Sequence, residues 1–286
     1  MRLGMDDIAV TRTPPWRDPL LLCSLAFVLI VALAALIAPW LSPYGAAGLE
    51  ARRILETPSY AHWMGTDGLG RDLLTRLLYG ARVSMTVGVG TALIALAIGT
   101  IYGLLSGFKG GAVDQLMMRI VDVFYSLPDM LIFILLSLLF GRNIGGLLIA
   151  LGLVSWVRFA RIVRGQALQA KEFLFVEAAR AMGASRRRLM LRHILPSIAG
   201  PIIVTLTFSV PSAILAESTL SFIGIGINDP YSPWGTSWGT LAQDGWPAMR
   251  TYPHVLFFPA AAIFLTILAF NFLGNGLRDW LDPKGR

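Results

Sequence analysis

Whatever chemistry this sequence carries must come from a few carboxylates in apolar surroundings and from one basic loop. Glu217, Asp129 and Asp122 lie within or at the edge of apolar runs, where an ionised side chain costs ~2.5 kcal/mol or more. Asp122 follows Arg119 by three residues, the spacing at which a helix brings opposite charges together, so the two read as a structural ion pair. Asp129 follows Pro128. That proline frees a backbone carbonyl and kinks the helix, so Asp129 lines a path or caps the kink. Glu217 has no basic neighbour in its run and follows Pro211. It reads as a residue of a translocation path or a partner interface, the alternative being an interhelical hydrogen bond.

No catalytic or metal-binding set is expected. His62, His193 and His254 fall in different loops, no His/Cys group has metal-ligand spacing, and no nucleophile elbow is read. The segment 65–72 has the glycine spacing of a phosphate loop, Gly65-x4-Gly70, but continues Arg71-Asp72. Without a lysine for the phosphates and a hydroxyl for Mg²⁺ it cannot hold ATP. It reads instead as a charged turn, either plainly solvated or touching a partner. Cys23, the only cysteine, excludes an intrachain disulfide.

The elements that must position these residues are membrane helices. The chain is 55% hydrophobic and 14% charged, against roughly a quarter charged for soluble domains. Its apolar residues fall in runs near 20–41, 83–105, 120–140, 144–163, 198–223 and 255–273, each long enough to cross a ~30 Å hydrocarbon layer. The expectation is an all-α polytopic protein of six transmembrane helices. Seventeen of its 24 Lys and Arg residues, Arg158 and Arg161 counted among them, fall in one set of loops. That asymmetry predicts cytoplasmic termini. It also explains the net charge of +7 through topology, without nucleic acid. In the second run Gly99, Gly103 and Gly107 form a seam for close helix packing, within the subunit or across an interface. Trp234, Trp238 and Trp246 in the last outer loop read as membrane-interface anchors, the alternative being a long loop that reaches into a partner protein.

The basic loop at 172–196 contains Glu177-Ala178-Ala179, then Gly183, then His193-Ile194-Leu195-Pro196. Its alanine content predicts a helix over 172–182, a positive-φ turn at Gly183 and a second, basic helix. Phe173, Val176, Ala179 and Arg180 share a face that could dock on a partner; the alternative is an interfacial helix held by anionic lipid. This spacing resembles the EAA-x3-G-x9-I-x-L-P loop of ABC importer permeases of the type I fold. It matches at Glu177, Ala178, Ala179, Gly183, Leu195 and Pro196, with His193 in place of the first isoleucine.

The resemblance extends through Gly65-Thr66-Asp67-Gly68-Leu69-Gly70-Arg71-Asp72, Met118-Arg119-Ile120-Val121-Asp122, Leu220-Ser221-Phe222-Ile223-Gly224 and Gly276-Leu277-Arg278-Asp279. These resemble the C-type permease subunit of dipeptide and oligopeptide importers. The resemblance implies a first region, 1–82, and a core permease domain, 83–286, in a bacterial inner membrane. It further implies a second homologous permease, two ATP-binding subunits that hold ATP and Mg, an extracytoplasmic peptide-binding protein and contact with membrane lipid. The substrate could be a dipeptide, a longer peptide, glutathione or a nickel complex. The six matched loop residues would then couple to the ATPases, and hydrolysis would lie in those subunits. Two rivals remain: an ion-coupled secondary transporter, which should show inverted repeats, and an intramembrane enzyme, which needs a converging catalytic set.

Overall fold

The computed structural model describes residues 18–41, 53–227 and 234–281. Among them there is no β-strand, only an isolated bridge between Thr66 and Asp72. The helices are α1 (Pro19–Leu41), α2 (Leu73–Lys109), α3 (Gly111–Tyr125), α4 (Asp129–Phe140), α5 (Ile144–Ala170), α6 (Leu174–Ala181), α7 (Arg186–Arg188), α8 (Leu195–Ser197), α9 (Ala199–Phe222), α10 (Trp238–Gly245) and α11 (His254–Leu281). A π turn, Leu189–Ile194, joins α7 to α8. Helices α1, α2, α5, α9 and α11 are each long and apolar enough to cross a membrane. The bent pair α3 and α4 is the sixth if counted as one span.

That pair corrects the expected third span, which is not a kinked continuous helix. The chain turns by 85° between α3 and α4. Pro128 disfavours helical geometry at the residue before it, and its own backbone is extended, φ −62° and ψ 119°. Helix α4 therefore restarts in a new direction.

Helix α2 is the central mast. Its 37 residues span roughly 55 Å, more than the hydrocarbon layer, so its ends project beyond it. Asp72 caps its start by accepting from the Thr75 N–H at 2.8 Å. Its most extensive interface is with α5, and the glycine seam makes that approach possible. A Cβ at Gly103 would stand 2.9 Å from the Arg164 nitrogen, and one at Gly107 would stand 2.8 Å from the Arg164 carbonyl oxygen. The seam therefore packs within the subunit. Gly103→Leu should force α2 and α5 apart at a cost of about 1–3 kcal/mol or more. A melting temperature equal to wild type in detergent would refute this backbone contact.

Helix α9 packs on α2 and α11, and α1 lies against α2 and α11 at the periphery. On α1, Leu29, Ile30, Leu33 and Leu36 point outward, as lipid-facing side chains do. Short α10 is wedged among α9, α11 and α2.

Candidate functional site: a helix pair and an intramembrane cavity

The first candidate site is the helix pair that follows α5. Phe173 has extended backbone and opens α6. Gly183 ends the segment at φ +82°, a conformation only glycine adopts without strain. Ser185 then caps α7 by accepting from the Arg188 N–H. Val176 and Ala179 are buried against Val163, Ala167, Leu189 and Ile194. This corrects the expected docking face: two of its four residues anchor α6 to its own subunit. The outward surface is instead Phe173, Leu174, Phe175 and Met182 around exposed Glu177 and Ala178. Leu174, at 84% exposure, stands almost free. Leu195 and Pro196 follow the π turn, where the missing proline N–H prevents regular helix pairing.

The base of this pair is tied to the membrane helices. Arg164 on α5 donates to both carboxylate oxygens of Asp114 on α3, each at 2.6 Å, and Ser106 on α2 donates to the same group at 2.5 Å. Paired parallel hydrogen bonds of this kind orient as well as attract. Lys171 reaches the Gly107 carbonyl at 3.5 Å. None of these links was legible in the sequence, because 50 residues separate Asp114 from Arg164.

The second candidate site is an open cavity of about 320 Å³ bordered by the α3–α4 break, α5 and α9. Phe124, Tyr125, Asp129, Arg158, Ser209 and Ser212 contribute to its wall. Asp129, in the first turn of α4, thus lines a cavity. A neighbouring cavity of about 240 Å³ shares Arg158 and Ser209 and adds Thr205 and Arg278.

Two expected roles are corrected here. Glu217 is 0% exposed and faces neither a path nor a free surface. It accepts from Ser221 at 2.6 Å and from Ser84 of α2 at 3.3 Å, while Ser237 donates to Ser221 at 3.1 Å. The carboxyl therefore knits α2, α9 and the α10 cap together, because a buried acid without a cation must find hydrogen-bond donors. The Arg119–Asp122 pair does not form either. Asp122 accepts from Arg161 of α5 at 2.7 Å, and that guanidinium also lies 4.0 Å from the Tyr125 ring. A cation from the packed neighbour displaces the local one.

Residues 99–286 match the family described as binding-protein-dependent transport system inner membrane component. Residues 16–58 match the N-terminal TM domain of oligopeptide transport permease C. The chain belongs to this transport-component family. It is 46% identical over 271 residues to the dipeptide transport system permease protein DppC of Bacillus subtilis (strain 168), covering 94% of this chain and 83% of that one. It is 42% identical over 279 residues to the oligopeptide transport system permease protein OppC of the same organism, covering 95% and 90%. A solved structure of the MetNI methionine ABC transporter in inward-facing conformations shares the fold. It aligns at TM-score 0.59 and 15% identity over 73% of this chain and 98% of that one. The expected type I importer permease architecture is therefore the observed one.

In this transport component the glycine-rich turn at 65–72 exposes Gly68 and Leu69 but buries its charged residues. Asp67 is buried and accepts from the Arg71 side chain at 2.8 Å and from Arg76 at 2.6 Å. Arg76 also reaches Asp244 of α10 at 3.1 Å, and His62 contacts Asp72 at 3.0 Å. Burial alone would raise the Asp67 carboxyl, but Arg76, Arg71 and backbone N–H donors hold it below its ordinary value. The last loop joins the same assembly. Trp238 is buried and donates to the Leu77 carbonyl at 2.9 Å, so it is no interface anchor. Trp234 lies 4.1 Å from the Arg82 guanidinium. Trp246 is exposed and stacks edge-on against Phe222.

The expectation of no nucleophile elbow needs one correction. Gly235-Thr236-Ser237-Trp238-Gly239 has the Gly-x-Ser-x-Gly spacing. Yet Ser237 is fully buried and caps α10 by accepting from the Thr240 N–H, which leaves no room for a substrate. Among the described residues, no group of three His, Cys, Asp or Glu could hold a metal ion.

Proposed function

We propose that this chain is the C-type permease subunit of an ATP-driven importer for di- or oligopeptides. The observation that carries this reading is the near full-length likeness to a dipeptide and an oligopeptide permease. The second homologous permease would supply the other half of the path. Two ATP-binding subunits, holding ATP and Mg, would engage the exposed surface around Glu177, and an extracytoplasmic binding protein would deliver the peptide. Glu177, Ala178, Ala179, Gly183, Leu195 and Pro196 act as the coupling element, with Ala179 serving from its buried side. Hydrolysis belongs to the partners, and this chain rocks between two arrangements as they close and separate. An intramembrane enzyme is disfavoured by the different settings of Glu217, inside a serine nest, and Asp129, on a cavity wall.

Co-expression of the four membrane-associated subunits and reconstitution with binding protein tests the reading. ATP-dependent uptake of a labelled dipeptide is expected, and uptake that ignores ATP but follows an ion gradient would overturn it.

The same reading places both termini and the α6–α7 pair in the cytoplasm of a bacterial inner-membrane protein. Moving Arg158, Arg161 and Arg164 into α5 leaves the charge bias intact. Lys109, Lys171, Arg180, Arg186, Arg187, Arg188 and Arg192 still cluster around α6. A cysteine at fully exposed Tyr60 should react with an impermeant reagent in intact spheroplasts, and one at Ser185 only after lysis. The opposite pattern would invert the topology.

A further inference from the structure

Three arginines follow one another at three-residue spacing on α5, and two of them are already committed. Arg161 is held by Asp122 and Tyr125, and Arg164 by Asp114. Arg158 differs. Among the described residues it has no hydrogen bond or ion pair, and it lines both cavities. It stands fourteen residues after Ile144 and twelve before Ala170, so about 20 Å of helix lies on either side of it. Its side chain is exposed on this subunit, and an arginine on a membrane-spanning helix costs up to ~2.5–3.5 kcal/mol even on the mildest scale, so such residues mark water-filled routes and ligand partners. Structural pairing accounts for its two neighbours. It does not account for Arg158.

The surroundings define what the guanidinium could bind. Its planar fork matches a carboxylate, which it can hold through two parallel hydrogen bonds. Ser155, Ser209 and Ser212 add hydroxyl oxygens to the same wall, those of Ser209 and Ser212 donating to the Thr205 and Phe208 carbonyls, and Asp129 adds one negative charge. A cavity of about 320 Å³ is at the small end of ligand sites, which suits a dipeptide. Such a molecule carries a carboxylate at one end and an ammonium at the other. Arg278 in the adjoining cavity continues the positive lining toward the end of α11.

We infer that Arg158 is the carboxylate-binding residue of a transit subsite for zwitterionic peptides, with Asp129 receiving the ammonium end. This rests on the peptide-import reading above and adds the residues that handle the cargo. A transit subsite must also release its ligand, and a single water-accessible ion pair is weak enough to do so.

The test uses the full reconstituted complex and a labelled dipeptide with free ends. Arg158→Gln should lower uptake at least tenfold while ATP hydrolysis stimulated by the binding protein persists, and Arg158→Lys should fall between. In a Cys23→Ser background, Arg158→Cys should regain uptake with aminoethyl methanethiosulfonate, which restores a positive charge. It should not regain it with the neutral methyl or the anionic sulfonatoethyl reagent. Wild-type uptake by Arg158→Gln, equal restoration by all three reagents, or none by the cationic one would overturn the inference. Loss of the partner permease from the purified Arg158→Gln complex would also overturn it, assigning Arg158 to a subunit contact. A wild-type complex that imports no peptide would instead overturn the import reading, and this inference with it.

Discussion

Glu177→Lys should leave the chain inserted and folded but reduce ATP-driven uptake at least about thirtyfold. Glu177 is exposed in the first turn of α6, so its loss removes no buried contact. The only intrinsic effect is on the helix dipole, worth about 0.3–1 kcal/mol. Reversing the charge at a docked surface is different, because like charges or an unpaired partner cost about 2–5 kcal/mol. Each 1.4 kcal/mol is a factor of about ten, which sets the thirtyfold floor. Gly183→Pro should give the same phenotype by another route. Proline is confined near φ −65°, whereas Gly183 has φ +82°, so the turn between α6 and α7 must rebuild. Both variants should still hydrolyse ATP when the ATPases are present, but without import in step. Normal uptake per ATP in both would remove the coupling role from this helix pair.

Arg76→Leu should destabilise the assembly of the 53–72 loop, the start of α2 and α10 by about 3–5 kcal/mol. That is the range for removing one partner of a buried ion pair and leaving the other charge stranded. Here Asp67 and Arg76 side chains are 2% and 4% exposed, and Arg76 also bridges to Asp244. Arg71 still faces Asp67, which keeps the loss from being larger. Asp67→Asn together with Arg76→Leu should recover part of the cost, because the stranded charge is gone. Hydrogen exchange of amides in 53–76 measures the effect, and unchanged protection in Arg76→Leu would refute it.

The same carboxyl predicts a pH dependence. Its folded value lies below the ordinary 3.8. The stabilisation is therefore complete above the unfolded value and is lost as pH falls through the lowered one. The loop should stay protected from neutrality into mild acid and open only in stronger acid. Asp67→Asn should abolish that acid step.

The sequence by itself determined the class of molecule and most of its spans. Apolar runs and charge bias are local sums along the chain, and a lipid phase reads them as such. It also determined the turn at Gly183, since an alanine-rich helix followed by glycine is a local signal. The family followed from motifs whose spacing survives in one dimension.

Tertiary structure alone decided the partners. Ser84 reaches Glu217 across 133 residues, and Arg76 reaches Asp244 across 168. No periodicity along the chain records such distances. Local rules named Arg119 as the mate of Asp122, but packing brought Arg161 from α5 closer. Hydropathy ended the fourth span at 163, and Arg158 and Arg161, though inside that run, were counted with the loops. The helix in fact runs on to Ala170, held by the Gly99–Gly103–Gly107 seam and by Asp114. That extension puts Arg158 near the middle of a continuous helix instead of in a loop. The face of α6 was decided in the same way. Spacing shows which residues share a side, but only the packed body behind Val176 and Ala179 settles which side is left for a partner.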